Sequence, residues 1–518
     1  MNKANYNYLL IFCFCMLLFT TAKAQPTIQW EKSYGGTNFE QANSVLQTLD
    51  GGFVIAGFTF SVDGDVSINN GGSEGWIIKI DATGVIQWEK SYGASLSDYI
   101  YTIQQTSDNG FIFSGIKNST VFPGTNNSAD YWIVKLDSIG NVMWDITLGG
   151  SQRDAIPFVR QTSDGGFIVS GTSNSLDGDV STNQGDFDVW IVKLDTLGII
   201  EWEKSYGGSG KDIAYSILQT YDDGYIVASS SNSTDGDVTG NKGDFDVWII
   251  KLGSNGSIEW EKSYGGTSID QISLFPNTEI AIEAIQQTPD SGFVFAALTT
   301  SNDGDVTTQL GGGDYWIVKI DKFGNIIWEK SFGGSSIDVP FSIQLTNDNG
   351  FFISGFSESY NSLNVSDFFI LKINSNGNSE WQKIIGGSNG DIAYSSKQTS
   401  DGGFIIAGST LSSDGDVSLN KGWGDFWVVK LSATVEVDEK ENTSSIIIFP
   451  NPTNGIFTIS STEEINEVEV FNALGKAVYS KKVTSKNITV DLTPFPKGIY
   501  LVQLKTNTNS VTKKIVYE

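Results

Sequence analysis

Ile28-Gln29-Trp30-Glu31-Lys32-Ser33-Tyr34-Gly35-Gly36 is the segment that decides the fold, because the chain repeats it. Close copies centre on Trp88, Trp144, Trp202, Trp260, Trp328 and Trp381, at successive intervals of 58, 56, 58, 58, 68 and 53 residues. Between tryptophans the units read alike. In the third, Ala155 to Thr162 leads to the turn cluster Ser163-Asp164-Gly165-Gly166 and the run Phe167-Ile168-Val169-Ser170-Gly171. A polar stretch with Asp177-Gly178-Asp179-Val180 follows, then Asp188-Val189-Trp190-Ile191-Val192-Lys193-Leu194-Asp195.

Each unit therefore holds four short β-rich runs. The Asp-Gly-Gly and Asp-x-x-Gly clusters between runs one and two, and between three and four, are hairpin turns. The second run is apolar at consecutive positions, which is how a strand covered on both faces reads. A fixed period of antiparallel four-stranded units with no helical periodicity predicts an all-β propeller. The rival is a parallel β-helix, whose coils are shorter and lack regular hairpins. The last unit ends at its third strand, Phe426 to Leu431, while Ile28 to Tyr34 is an orphan fourth strand. Pairing the two closes a seventh blade and removes an exposed sheet edge. Strand parity then puts the 2–3 loops and the 4–1 connections on one face, called the top here. The long loops are of the 2–3 type, and the largest insertion, Gln271 to Ile282, reads as a lengthened 4–1 connection; the top is the expected binding face.

Residues 1–24 read as a secretory signal peptide: Lys3, the apolar run Leu9 to Phe19, and the small-x-small site Ala22-Lys23-Ala24. The two cysteines, Cys13 and Cys15, lie inside the apolar run, and the chain has no histidine. Thiolate nucleophiles, Cys- or His-ligated zinc and His-based triads are excluded from the exported chain. Oxygen-ligated hard cations and carboxylate acid–base pairs remain. Lys3 and Lys23 leave with the signal, taking the charge from −28 to about −30. Such a chain repels nucleic acid and anionic lipid, and no other segment is apolar enough to insert in a membrane.

Beyond the repeats (25–431), a charged linker (432–445) leads to a different segment, 446–518. It holds Phe449-Pro450-Asn451-Pro452-Thr453-Asn454-Gly455, the run Val468 to Lys476 with Gly475-Lys476, then Lys497-Gly498-Ile499-Tyr500 and Lys513-Lys514-Ile515-Val516. Alternating apolar strands between Gly, Asn and Pro turns predict a small Ig-like β-sandwich. These motifs resemble the type A C-terminal sorting domain of the type IX secretion system of Bacteroidota. The resemblance implies passage across the outer membrane by the type IX machinery, with cargo released or attached at the cell surface. It also implies that Pro450, Asn451, Pro452, Gly455, Gly475, Lys476, Gly498, Tyr500, Lys513 and Lys514 form the sorting motif. The propeller is similar to the tryptophan–glycine repeat arrays common in such cargo.

Three acidic positions recur on the top face. One follows the glycine pair (Glu40, Asp98, Asp154, Asp212, Asp270, Asp338, Asp391), and one precedes the strand-three aromatic by two (Glu74, Asp130, Asp188, Asp246, Asp314, Asp367, Asp425). Presence in every blade favours a loop-holding role over a ligand site. The third is the Asp-Gly-Asp of the 2–3 loop: Asp63/Asp65, Asp177/Asp179, Asp235/Asp237, Asp303/Asp305 and Asp414/Asp416. Its alternate oxygens suit calcium, whereas an Asx turn needs no ion; the remainder of an EF-hand series is absent.

Thirteen of the fourteen tryptophans belong to the strand framework. Trp423, between Gly422 and Gly424 in the last 2–3 loop, either stacks on a sugar or packs on the neighbouring blade. The only arginines are Arg153 and Arg160. Arg160 takes the strand-one position held elsewhere by Leu46, Gln104, Leu218, Gln286, Gln344 and Lys397. That mixed occupancy points into the central channel, where Arg160 and Lys397 either face a ligand or join a simple ion pair. The expected function is a non-enzymatic secreted module binding a glycan or protein through the top face. A carboxylate-based glycoside hydrolase and a structural spacer are the alternatives.

Overall fold

The computed structural model describes residues 25–94, 96–119, 129–273, 280–360, 365–433, 446–472, 476–506 and 510–518. The signal segment, most of the linker and Gly475 lie outside the described residues. Two compact units divide the chain, one reaching residue 435 and one beginning at 436.

In the large unit the described residues form seven antiparallel sheets, each following one repeat. Blade one is Glu40–Gln47, Phe53–Thr59, Glu74–Ile80 and Ile86–Tyr92, and the later blades copy that order. Each sheet packs on the next, and the seventh packs on the first, so the ring is closed. The closing strand is Ile28–Tyr34, paired antiparallel with Asp425–Leu431 from Tyr34 opposite Phe426 to Ile28 opposite Leu431. Across this seam the Trp427 indole donates to Glu31 at 2.8 Å. Internal blades repeat that bond, as in Trp190 to Glu203 and Trp248 to Glu261, both 2.8 Å.

The second strands of six blades are buried along their whole length, as their unbroken apolar runs require. In the third strands of six blades a lysine is buried, with its ammonium on its neighbour's carbonyl and on the aspartate of the turn between strands one and two, while Lys319 of blade five is half-buried on Asp290. Lys79 meets Asp50 and the Ile80 carbonyl, and Lys430 meets Asp401 and the Leu431 carbonyl. Neighbouring blades are tied at the bottom by glutamines ending the first strands. The Gln161 side-chain oxygen accepts from Ser107 N at 2.8 Å, Gln219 from Ser163 N at 2.7 Å, and Gln47 from Ser400 N at 2.7 Å. Gln105, Gln287 and Gln398 do the same. At the remaining junction the donor position is Pro289, which has no N–H, and the acceptor position is Leu345.

The insertion reading needs correcting. The first strand of blade five is broken into Asp270–Gln271 and Ile285–Gln287, so the extra residues interrupt that strand rather than lengthen the connection before it. Asp270 must stay in place because it accepts Gly266 N at 2.7 Å, so the chain departs only after it. It returns along the channel, where Ile282 N donates to the Tyr215 carbonyl at 3.3 Å and the Glu283 carbonyl accepts from Ile343 N at 2.9 Å.

In the small unit, Ile447–Phe449, Ile456–Asn472, Gly498–Thr506 and Ser510–Tyr517 form one sheet in that order, with Ala477–Asp491 also paired to Ile456–Asn472. The strands expected of the small β domain are linked into one hydrogen-bonded network through the long Ile456–Asn472 and Ala477–Asp491 strands. Its buried side chains, among them Phe457, Val468, Val490, Tyr500, Leu504 and Ile515, form one cluster. Ile446 and Leu492, outside the strands, join that cluster, and the register of the sheet breaks between Ser460 and Ile465.

Removing residues 25–36 is expected to lower the stability of the large unit by at least about 3 kcal/mol, through lost burial of Tyr34 and an opened edge. Urea or thermal unfolding reads this, and an unchanged transition would contradict closure by the N-terminal strand.

Candidate functional site

On the top face, the recurring acids meet in pairs across blade junctions. An added Cβ on Gly207 would stand 2.5 Å from Asp188 Oδ1 and 2.6 Å from Asp212 Oδ2. Gly149 stands likewise between Asp130 and Asp154, and Gly265 between Asp246 and Asp270. Only glycine admits two carboxylates this close to its Cα. At the position after the glycine pair, Asp154, Asp338 and Asp391 each leave one buried Oδ1 without a partner among the described residues, but Asp212 is well served, accepting Gly208 N and Ser233 Oγ, both at 2.8 Å. Its partner is less so. Asp188 accepts Gln184 N at 2.6 Å through Oδ2, but its buried Oδ1 has no hydrogen-bond partner among the described residues. The same holds for Oδ1 of Asp130, Asp246, Asp314 and Asp425 and for Oε2 of Glu74. Burial, and then the facing acid, pushes Asp130, Asp188, Asp246 and Asp425 up to about 6.

The Asp-Gly-Asp loops clamp the glycine pair from above. The first aspartate accepts the N–H just after the pair: Asp63 from Thr37 at 2.8 Å, Asp177 from Ser151 at 2.6 Å, Asp235 from Ser209 and Asp303 from Thr267 at 2.7 Å, Asp414 from Ser388 at 2.8 Å. The second accepts from the first glycine of the pair, Asp65 from Gly35 and Asp179 from Gly149 at 3.1 Å, with Asp237, Asp305 and Asp416 alike. It also reaches the preceding blade: Lys421 donates to Asp65, Lys242 to Asp305, and Gln184 to Asp237 at 2.7 Å. Blade six lacks the motif, and there the Tyr360 hydroxyl donates to the Gly333 carbonyl at 2.8 Å. In the five blades that carry the motif that carbonyl takes a backbone N–H, as Gly35 does from Asp65 at 2.9 Å. Among the described residues, no group of three or more carboxylates is arranged to hold a metal.

A cavity of about 790 Å³ opens on the top face beside the closing seam. Phe39 and Phe60 of blade one, Val365 of blade six, and Leu411 and Trp423 of blade seven form its apolar wall. Trp423 is 83% exposed, held only through its backbone N–H on the Asn38 carbonyl at 3.2 Å. Asn38 and Asn389 complete the lining. Each uses its Nδ2 to hold a loop, Asn38 on the Phe60 carbonyl and Asn389 on the Leu411 carbonyl, both at 3.2 Å. Among the described residues no hydrogen bond engages their amide oxygens. The sequence signalled Trp423 but not Phe39, Phe60, Val365 or Leu411, which come together only when the ring closes.

In the channel the structure brings Arg160 and Lys397 together on Glu283, one carboxylate oxygen for each cation. Arg153 is elsewhere, in the connection entering blade three, where its backbone N–H meets Asn174 at 2.8 Å. Glu283 had no signal in the repeat pattern, because it belongs to the interrupted strand.

In the small unit the motif residues are built into the sheet. The Asn451 amide donates to the Lys514 carbonyl and its oxygen accepts Val516 N, both at 2.9 Å. Gly455 receives Leu492 N at 2.6 Å, and the buried Tyr500 donates its hydroxyl to the Pro496 carbonyl. Pro450, Pro452, Lys476, Gly498, Lys513 and Lys514 are exposed.

Residues 447–518 match the secretion system C-terminal sorting domain family. The chain is thus an all-β propeller protein exported through the type IX system to the cell surface or extracellular space. No helix among the described residues is long and apolar enough to cross a membrane. An ulvan lyase of Nonlabens ulvanivorans is 37% identical over 89 residues, a match spanning 16% of either chain. Solved structures of similar outline include a protein of unknown function from Dyadobacter fermentans, 11% identical with a TM-score of 0.40 over 79% of this chain and 99% of that one. Another is the Penicillium chrysogenum alpha-L-arabinanase complexed with arabinobiose, 12% identical with a TM-score of 0.38 over 65% and 93% of the two chains.

Two predictions follow from the carboxylates. Those raised to about 6 bind protons more readily in the folded chain, so their stabilising contribution is complete below about pH 4 and is lost as pH rises through 6. Asp50, Asp108, Asp164 and Asp348 oppose this: burial raises them, but bonds from threonine, lysine and a glycine N–H outweigh it and hold them at about 2. Their contribution is lost as pH falls from about 4 towards 2. From these groups the melting temperature should peak near pH 4 and fall as pH rises through 6, and a steady rise towards pH 8 would contradict the junction geometry. Because the Asp-Gly-Asp carboxylates already serve backbone N–H groups, melts in calcium and in chelator at constant ionic strength should coincide. A higher transition in calcium, reduced by Asp177→Asn with Asp179→Asn, would restore the ion reading.

Proposed function

We propose that this protein is a secreted or surface-attached glycan-binding module that holds saccharide in the top-face cavity beside the closing seam. The observation that carries the reading is the exposed Trp423 indole next to an apolar wall with two unengaged amide oxygens. A sugar offers that site both of its chemistries: an apolar C–H face for the indole and hydroxyl donors for Asn38 and Asn389. The wall contains no carboxylate, which supports binding over hydrolysis, since glycoside cleavage of the usual kind needs two. Placement on the face away from the glutamine-tied hairpins leaves the cavity open after export.

A glycan array with the exported protein should show binding that Trp423→Ala weakens by about tenfold or more. The exposed ring makes that variant safe for folding. Retained binding in Trp423→Ala would move the site elsewhere, and release of new reducing ends from a bound polysaccharide would favour the hydrolase.

A further inference from the structure

The channel differs chemically from the rest of this acidic molecule. Strand one of blades one to four and seven lines its lower end with Leu46, Gln104, Arg160, Leu218 and Lys397, around a cavity of about 380 Å³. Two cations stand there against one carboxylate, Glu283. Lys397 also donates to the Gln344 amide oxygen at 3.1 Å. Arg160 gives Glu283 a single N–H and lays its guanidinium over the Phe158 ring, 4.6 Å from the centroid. A guanidinium has five N–H donors, so most of this one's are left for whatever enters the cavity. Gln104 binds Gln161 N through its oxygen at 2.8 Å, which leaves its amide N–H₂ as a further donor. On the other side of the triad the channel narrows to a cavity of about 20 Å³ walled by Tyr101, Phe158, Ala281 and Tyr394, and Ala281 and Ile282 are buried in one apolar cluster with Tyr101, Phe158, Phe341 and Tyr394. The lower end is therefore a cup whose floor carries one unit of uncompensated positive charge and several free donors.

We propose that this cup is an oxyanion site, in which Arg160 and Lys397 bind one carboxylate or sulfate group. A buried cation is costly without full pairing, and an entering anion supplies the missing charge. The planar fork of Arg160 suits two oxygens of one group, and Lys397 adds a point charge. Glu283 sets the affinity by occupying one N–H on each cation, so the site takes a single anionic group. The anion is either free in solution or carried on a saccharide, and the site is separate from the Trp423 cavity.

The test is isothermal titration of the exported protein with sodium sulfate, against sodium chloride at equal ionic strength. One saturable site per chain is expected, weakened about tenfold or more in Arg160→Gln, which removes a charge-assisted bond. Lys397→Gln provides a second variant, and circular dichroism checks that each is folded. Glu283→Gln should tighten binding, because it removes the competing carboxylate. Sulfate binding matched by acetate and glucuronate identifies a free anion, whereas glucuronate binding tighter than acetate identifies a saccharide-borne group. Absence of a saturable sulfate heat in the unaltered protein, equal affinity in folded Arg160→Gln, or weaker binding in Glu283→Gln would overturn the proposal.

Discussion

Two carboxylates pressed against one glycine Cα hold each blade to the next, and much of the top face follows from that contact. The glycine has no Cβ, so Asp188 and Asp212 close on Gly207 within a distance that any other residue would block. Fixing that glycine fixes the turn into the next blade. The Asp-Gly-Asp loop then closes over it by taking the neighbouring N–H groups. Loop, turn and junction are one hydrogen-bonded unit. Its weak element is electrostatic, since in six blades the strand-three carboxylate keeps a buried oxygen with no hydrogen-bond partner among the described residues.

The architecture was legible because a blade is a local object. Four strands, two kinds of turn and a buried lysine are written within fewer than 60 residues, and the tryptophan spacing repeats them. Ring closure was legible as well, because a unit short of one strand and an orphan strand at the other end have a single arrangement that pairs both. The Pro289 and Leu345 pair shows how far the pattern goes: where the backbone donor is missing, the glutamine that would have been left unsatisfied is missing too. The small unit was less legible, since alternation marks strands but does not show that two long strands link them into one hydrogen-bonded network.

The candidate sites were legible only in part, for the same reason. Phe39, Phe60 and Leu411 look like ordinary loop apolars until the seam places them around Trp423. Glu283 sits in no repeat register, so no comparison between blades could single it out, although its two partners could be read as channel residues.

In a ring of near-identical blades, a feature that recurs from blade to blade is explained by building the ring, and chemistry specific to this protein must come from departures. The junction acids, the bottom glutamines and the buried lysines are accounted for in this way. Trp423 and the Arg160–Glu283–Lys397 triad are not. Trp423 stands at the seam, the one junction made by residues from opposite ends of the propeller, and its ring is left in solvent where the other tryptophans pack. The triad needs a cation from blade three, a cation from blade seven and a carboxylate delivered by the broken strand of blade five. Interrupting a strand forgoes ladder hydrogen bonds, and nothing in the folding of a four-stranded blade asks for it, since the other blades keep that strand whole. A structural clamp across the channel would be complete with one cation for one carboxylate. The second cation is the part that stability does not explain, and it is the part that an anion would use.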